Sequence, residues 1–397
     1  MSDIIVLGAG MVGISTALAL RDAGHDVVVI DRKAPGRETS YGNAGIIQAE
    51  AVEPYALPRD LRSLARIALG RGNDVRYDLS ALPPQARALW SYFRASRTDR
   101  HRAIAKAYAP MIRRATDDHQ ALIEPAGADH LIRRDGFYQI LRSQTGLDRA
   151  ATDAARIAST YGVGVEILSG DDLARREPAI RQDLAGAVHW NDSWTCSDPG
   201  GLVEAYAALL RRRGGRFEIG DAMSLVQTAK GWAIETESGR LEAPVAVIAL
   251  GPWTPDLLAR FEYRIPMIYK RGYHRHFVNR GGLTVTLHDP DFGMVVSPMV
   301  AGVRIATGAE IAPHDAPATP RQLDRAAASA RALIDLGDPI EAEPWLGRRP
   351  CLPGMLPFVG PMERHPGLWG NFGHGHQGFT LGPTTGRLLA ERIAGRN

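Results

Sequence analysis

Hydrophobic positions near the start of the chain follow two periods in quick succession. Ile4 to Leu7 is an unbroken apolar run, and Val12 to Ala23 carries apolar residues at helical spacing. Gly24 then supplies the left-handed conformation that ends a helix, and Val27 to Ile30 is a second apolar run. A strand that is apolar at every position is buried on both faces, as in a parallel sheet. The pattern predicts a strand–helix–strand unit.

Further along, Leu57 to Ala128 reads as helical, broken at Pro58, Pro83, Pro84 and Pro110. Tyr138 to Leu141 is a predicted strand, and Asp148 to Tyr161 and Asp171 to Glu177 are predicted helices with acidic first turns. Ser197-Asp198-Pro199 starts a helix that runs to Arg213. Strands are expected at Arg216 to Ile219, Ser224 to Thr228, Trp232 to Thr236 and Val245 to Leu250. Tyr263 to Thr307 alternates strands with turns at Gly281-Gly282 and Ala301-Gly302, as in an antiparallel sheet, and Gln322 to Leu336 is a helix. Nucleotide-binding elements thus fall near both ends and in the middle. The expected fold is mixed α/β, with a Rossmann-like domain from 1–50, 145–260 and 340–397 and an antiparallel-sheet substrate domain from 51–144 and 261–339.

Composition narrows the class. Apolar residues make up 45% and charged residues 23%, ordinary for a globular protein, and 397 residues suit two domains. A net charge of +3 from 47 basic and 44 acidic residues is too balanced to imply nucleic acid. Cys196 and Cys351 allow one bridge at most and make no zinc framework. The opening residues carry no signal-peptide pattern, and apolar runs such as Ala243 to Leu250 fall short of the ~20 residues of a membrane span. A soluble cytoplasmic protein is expected. The basic stretch Arg59 to Arg71 offers either a solvated helix face or a peripheral membrane contact.

The candidate chemistry begins with Gly8-Ala9-Gly10-Met11-Val12-Gly13, a G-x-G-x-x-G pattern between a predicted strand and helix. Gly8 permits the tight turn, Gly10 the approach of a pyrophosphate and Gly13 the packing of helix on strand. The helix start at Met11 and Val12 offers free N–H groups to phosphates. Asp31 closes the second strand, where a carboxylate accepts hydrogen bonds from ribose hydroxyls. Arg32 beside it would suit a 2′-phosphate, but the Asp31 carboxylate would repel one. Ser40 to Gly45 is a run of small residues whose backbone can approach a flat ring. Gly373 to Thr380 is a second glycine loop, opening onto a helix from Gly378 to Ile393 with Gly382 and Gly386 on one face.

These pieces carry a resemblance. The glycine loop with Asp31, the segment Glu38 to Gly45, and Gly251-Pro252-Trp253 resemble the FAD-dependent D-amino-acid oxidase superfamily, as do Gly347-Arg348-Arg349-Pro350 and Asn371 to Gly378. The nearest branch is the bacterial D-amino-acid dehydrogenases. Within it, Ile47-Gln48 and Lys270-Arg271-Gly272-Tyr273-His274 are similar to the D-hydroxyproline oxidases. The likeness spans the chain and implies FAD, expected to be non-covalent because the spacing around Cys351 does not match that of covalent attachment in sarcosine oxidases. No metal is expected, because His374 and His376 with His365 lack a third ligand of clear spacing. The resemblance implies cofactor contacts from Gly8, Gly10, Met11, Val12, Gly13, Asp31 and Arg32, from Ser40, Tyr41, Asn43, Ala44, Gly45 and Ile46, and from Gly251 and Trp253. The C-terminal loop would add Gly373, His374, Gly375, Gln377, Gly378, Phe379 and Thr380.

For the reaction, the resemblance implies oxidation of a small amino acid by hydride transfer from Cα to flavin N5, with a quinone or oxygen taking the electrons. Arg349 would hold the substrate carboxylate, its planar fork suiting a bidentate pair, with Tyr273 as a second contact. His274 and His276 would take the ammonium proton near neutral pH, and His374 and His376 would line the pocket. Leu352-Pro353-Gly354 stands where the branch usually has Thr-Pro-Asp, which leaves the substrate open between D-proline, cis-4-hydroxy-D-proline and other small amino acids. A sarcosine- or glycine-oxidase-like activity and an FAD-bearing relay subunit are the alternatives.

Overall fold

The protein is described by a computed structural model covering residues 3–60, 73–313 and 316–395. The basic stretch Arg59 to Arg71 lies, beyond its first two residues, outside the described residues. Two sheets organise the chain. The first has six strands in the order Arg216–Ile219, Val27–Asp31, Ile4–Leu7, Val245–Ile248, Leu368–Phe372 and Phe358–Pro361, parallel except for the last pair. Its alternating side chains serve two cores. Ile4, Val6, Val27 and Val29 pack against helices Met11–Asp22, Pro199–Arg212 and Gly378–Ile393. Ile5, Leu7, Val28 and Ile30 pack against the small antiparallel sheet that carries Trp232 and Ile234. Both faces are buried, which is why these strands are apolar at every position.

The second sheet has eleven strands and is centred on the long strand Ile268–Asn279. That strand pairs antiparallel with Gly302–Thr307, Ala309–Ile311, Leu336–Pro339 and Trp345–Cys351. Sheet membership departs here from the expected boundaries. Glu166–Ser169 and Gly186–Trp190, from the segment assigned to the nucleotide-binding domain, join this sheet beside Phe137–Leu141. Trp345–Cys351, also assigned there, is a direct neighbour of the central strand. Pairing partners distant in sequence leave no local trace, so segment order alone misassigns them. Within the helical stretch, Val75–Tyr77 is instead a strand beside Ala309–Ile311. Pro83 and Pro84 sit in the first turn of helix Leu82–Ala95, while Pro110 is tolerated inside helix Thr98–Ile112 near its end. Cys196 and Cys351 are both free thiols. Among the described residues no helix is long and apolar enough to cross a membrane.

The first and last helices meet at glycines. A Cβ on Gly382 would lie 2.7 Å from Met11 Cγ, and one on Gly386 would lie 2.8 Å from the Thr16 nitrogen. Gly386→Ala is expected to force the helices apart and cost about 1–3 kcal/mol, as overpacking does. Gly354→Ala, where a Cβ meets nothing within 4 Å, should cost almost nothing. Urea midpoints of the two variants check the contrast.

Candidate functional site

The two sheets enclose a cavity of about 910 Å³, at the upper end of the ~300–1,000 Å³ common for ligand sites. Its wall includes Gly8, Gly10, Met11 and Val12 at one helix start and Gly378 and Phe379 at another. Gly8 has φ of +108°, and a Cβ there would fall 2.4 Å from the Ala249 carbonyl oxygen. A Cβ on Gly13 would lie 1.8 Å from the Gly8 oxygen, so only glycine lets this helix seat on the strand. The Asp31 carboxylate accepts from the Ala9 and Lys33 amides at 2.7 and 3.1 Å. Burial raises its pKa, while those amides pull it back down. Arg32 lies over the Trp253 ring, 4.4 Å from its centroid, and pairs with Glu38 at 2.9 Å.

The small-residue loop is fixed by its own polar groups. Ser40 Oγ accepts from the Met11 amide at 2.9 Å, and Asn43 Oδ1 accepts from the Gly45 amide at 2.8 Å. Arg304 donates to the carbonyls of Tyr41 and Asn43, and Ser297 donates to that of Ala44. Gly42 packs so closely under Trp345 that a Cβ would lie 1.8 Å from its ring. Asn43, Ala44, Ile46, Gly251, Trp253, His374, Gly375 and His376 also line the cavity. Gly13, Tyr41, Gly45, Gly373, Gln377 and Thr380 stand behind the wall, where they shape it. Gln377 Nε2 donates to Gln48 Oε1 at 2.6 Å, and Thr380 Oγ1 accepts from the Gln48 amide at 3.3 Å.

Across the cavity lies one face of the large sheet. Lys270 is paired with Arg349, Gly272 with Gly347 and His274 with Trp345, and directly opposed residues project to the same side. Arg349 is half-buried at the cavity wall and donates to the Gly308 and Thr307 carbonyls at 2.8 and 2.9 Å. Burial lowers its pKa. Tyr273 projects from the other side of the strand. Its hydroxyl donates to Glu310 at 2.7 Å and accepts from Arg271 and the Thr319 amide, which leaves nothing for a substrate carboxylate. Tyr273 borders the cavity, but the hydroxyl expected to meet the carboxylate is committed to this buried network.

The expected proton acceptors are corrected as well. His274 is buried against Trp345, stacked at 4.8 Å, and lies off the cavity wall. Burial, then Arg304 and His276, push its pKa down to about 2. His276 is also lowered, by burial and Arg304, although it contacts Glu341. His376, on the wall, is pushed to about 3 by burial and by Lys270 and Arg349. His274 and His376 therefore stay neutral near pH 7, and burial moves His276 in the same direction. The Nε2 of a neutral His376 is buried and unpartnered among the described residues, and it donates or accepts according to the ring tautomer.

These features converge on one kind of ligand, a dinucleotide laid over two helix starts. The family model described as DAO, FAD dependent oxidoreductase, matches residues 3–392. The chain belongs to this family. It is an FAD-dependent oxidoreductase, and the residues present fit that cofactor. Gly8 and Gly13 let the helix start seat close on its strand, and Gly10 leaves the approach of a pyrophosphate open. Asp31 stands where a ribose would lie, and the Ser40–Ile46 loop presents backbone rather than bulk. The chain is 29% identical to a D-amino acid dehydrogenase of Chromohalobacter salexigens, covering 99% of this chain and 96% of the relative. It is 31% identical to one of Cereibacter sphaeroides, covering 99% and 92%. Among solved structures, glycine oxidase of Bacillus cereus matches with a TM-score of 0.73 at 20% identity, covering 100% of this chain and 96% of that one. L-proline dehydrogenase of P. horikoshii matches with a TM-score of 0.74 at 16% identity, covering 99% and 93%.

Several wall residues escaped the sequence reading. Lys270, Tyr92, Tyr55 and Trp345 line the cavity, and Arg304 holds the loop from behind. Lys270 had a signal in its near-isolation as a lysine among arginines, but Tyr92 sits in a helix with no motif.

Two outcomes follow. Gly10→Val should give colourless protein, because even a Cβ at Gly10 would sit 3.2 Å from Ser40 Oγ and a larger side chain fills the phosphate approach; the flavin absorbance of purified protein reads this. His374 is buried and held near pKa 3, as His274 is near 2, both below the unfolded value of ~6.5. Their stabilising contribution is present above that value and is lost as pH falls toward the folded pKa, by about 1.4 kcal/mol per pH unit each. Urea midpoints at about pH 7 and about pH 5 should show this slope, and His374→Asn should remove its share.

Proposed function

We propose that the enzyme oxidises the carbon–nitrogen bond of a small D-amino acid, with D-proline and cis-4-hydroxy-D-proline as the first compounds to try. The observation that carries this reading is Arg349, a half-buried guanidinium at the cavity wall with no carboxylate among its described ion-pair partners. Its hydrogen bonds to two carbonyls fix the fork but leave the charge uncompensated. A substrate carboxylate supplies what is missing, as a bidentate partner. The names of the dehydrogenases of Chromohalobacter and Cereibacter point to the same substrate class.

Bound FAD supplies the two-electron acceptor for the Cα hydride. The protein's own part is positioning, which carries much of such a barrier. Arg349 anchors the carboxylate. His376 stays neutral beside two cations, so its unpartnered Nε2, in the tautomer that leaves it unprotonated, accepts an N–H of the substrate amine rather than repelling it. The imine product hydrolyses in water, or persists as a cyclic imine from a proline. Oxygen or a quinone then takes up the electrons. An electron-relay subunit without a substrate would have no use for an uncompensated arginine in this cavity.

Arg349→Lys keeps the charge and loses the fork, so it should raise the half-saturating substrate concentration while the flavin spectrum persists. Arg349→Met should cost about 2–5 kcal/mol in kcat/KM. It should also abolish the preference for an amino acid over its decarboxylated amine. Arg348 also borders the cavity but points to the other side of the strand from Arg349, and its substitution should leave that preference in place. Steady-state kinetics on both arginines decide the assignment, since a preference that survives in Arg349→Met sinks it.

A further inference from the structure

Lys270 stands opposite Arg349 on the same sheet face, but the two cations diverge. The Arg349 guanidinium folds back over Gly272, where a Cβ would lie 2.7 Å from Nη2, and is tied to residues 307 and 308. Lys270 turns the other way, toward helix Leu82–Ala95. Its Nζ donates to the Tyr92 hydroxyl at 3.3 Å and lies 4.6 Å from the centroid of that ring. Tyr92 is itself held against Ile268, the residue two before Lys270, and its hydroxyl donates to the Tyr55 carbonyl. Both cations line the cavity, and both act on His376.

An ammonium has three donors. Among the described residues Lys270 has a single hydrogen-bond acceptor, at long range, and no carboxylate partner. Donors left unmet in a desolvated pocket are costly, so a ligand that brings an acceptor is favoured there. Arg349 and Lys270 feel each other's charge but are held by different partners, Arg349 by the carbonyls of residues 307 and 308 and Lys270 by Tyr92. A second acceptor on the substrate would therefore meet Lys270 while the carboxylate meets Arg349.

We propose that Lys270, backed by Tyr92, is a specificity-determining residue that binds a second hydrogen-bond-accepting group of the substrate, remote from its α-carboxylate. That group is a hydroxyl or a second carboxylate. The inference rests on Arg349 holding the α-carboxylate of an amino acid.

The test uses the FAD-loaded enzyme and two substrate pairs that differ in that group, D-proline with cis-4-hydroxy-D-proline and D-alanine with D-aspartate. Anaerobic flavin bleaching and kcat/KM are read for each. Wild type should prefer the acceptor-bearing member of one pair by about 10-fold or more, and which pair responds tells hydroxyl from carboxylate. In Lys270→Met that ratio should collapse by about 10- to 100-fold, and Tyr92→Phe should reduce it part-way. The proposal is overturned if neither pair shows a preference in wild type, or if the ratio survives in Lys270→Met. It is equally overturned if both members of a pair fall by the same factor, since Lys270 would then serve the shared α-carboxylate. Should Lys270→Met fail to retain flavin, Lys270→Gln is read in the same way. Absence of bleaching by any amino acid in wild type sinks the amino-acid reading itself, and with it this inference. Bleaching without a preference sinks this inference alone.

Discussion

The contact on which the site depends is one of backbone against backbone. The Gly8 carbonyl lies where a side chain on Gly13 would begin, and the Ala249 carbonyl lies where one on Gly8 would. With those volumes empty, helix Met11–Asp22 seats directly at the ends of two parallel strands. The C-terminal helix seats on that helix in turn, through Gly382 and Gly386. Two helix starts are thereby brought to one cavity. Apart from the Met11 amide, which Ser40 takes, each presents first-turn amides that the helix leaves open and the positive end of its dipole, so anionic groups are favoured there.

The side chains continue that bias. Arg349 and Lys270 face the cavity without carboxylate partners among the described residues, while Arg32 is largely answered by Glu38. Into this positive field the fold places His374 and His376, and both stay neutral. Burial is the larger cause for each, and for His376 the two cations add to it. A protonated imidazole would be a third uncompensated charge in a low-dielectric space, where like charges repel most strongly. Acidic side chains also border the cavity, at Asp31, Glu38, Asp74, Asp221 and Asp256; Asp31 is held by the Ala9 amide, where ribose hydroxyls rather than phosphates are expected.

Much of this was legible in the residues. The first strand, helix and second strand fall within a residue or two of expectation, and the C-terminal helix spans Gly378–Ile393 as read. The glycine pattern and Asp31 were legible because each residue answers a local steric or polar demand. What was lost depends on pairing. Whether Tyr273 or Lys270 shares a side with Arg349 is decided by strand register, which a single sequence does not carry. Tyr273, expected as a second carboxylate contact, borders the cavity but turns its hydroxyl to the other side of the strand, into the network with Glu310 and Arg271. His274 and His276 departed from expectation for a related reason. Their shifts follow from burial, for His274 against Trp345, and from Arg304 on a neighbouring strand distant in sequence, while the sequence offers only an imidazole with its ordinary value.

Register also explains why the buried polar cluster behind the site is there. Arg271 and Glu310 are directly paired and form a buried ion pair at 3.2 Å, with the Tyr273 hydroxyl and the Thr319 amide bonded into it. As a source of stability such a pair is weak, because desolvation offsets most of the attraction. As a fix on register it is strong. Slipping the central strand by one residue would turn Arg271 and Tyr273 into the cavity and Lys270 and His274 into the core behind it. Glu310 would then be buried without a partner, and an uncompensated buried charge costs about 3–5 kcal/mol. The hydrophobic residues on this strand do not discriminate as sharply, because Gly272 has no side chain and both faces are covered. The polar network on one side of the strand therefore holds Lys270, Gly272 and His274 on the other, against Arg349, Gly347 and Trp345.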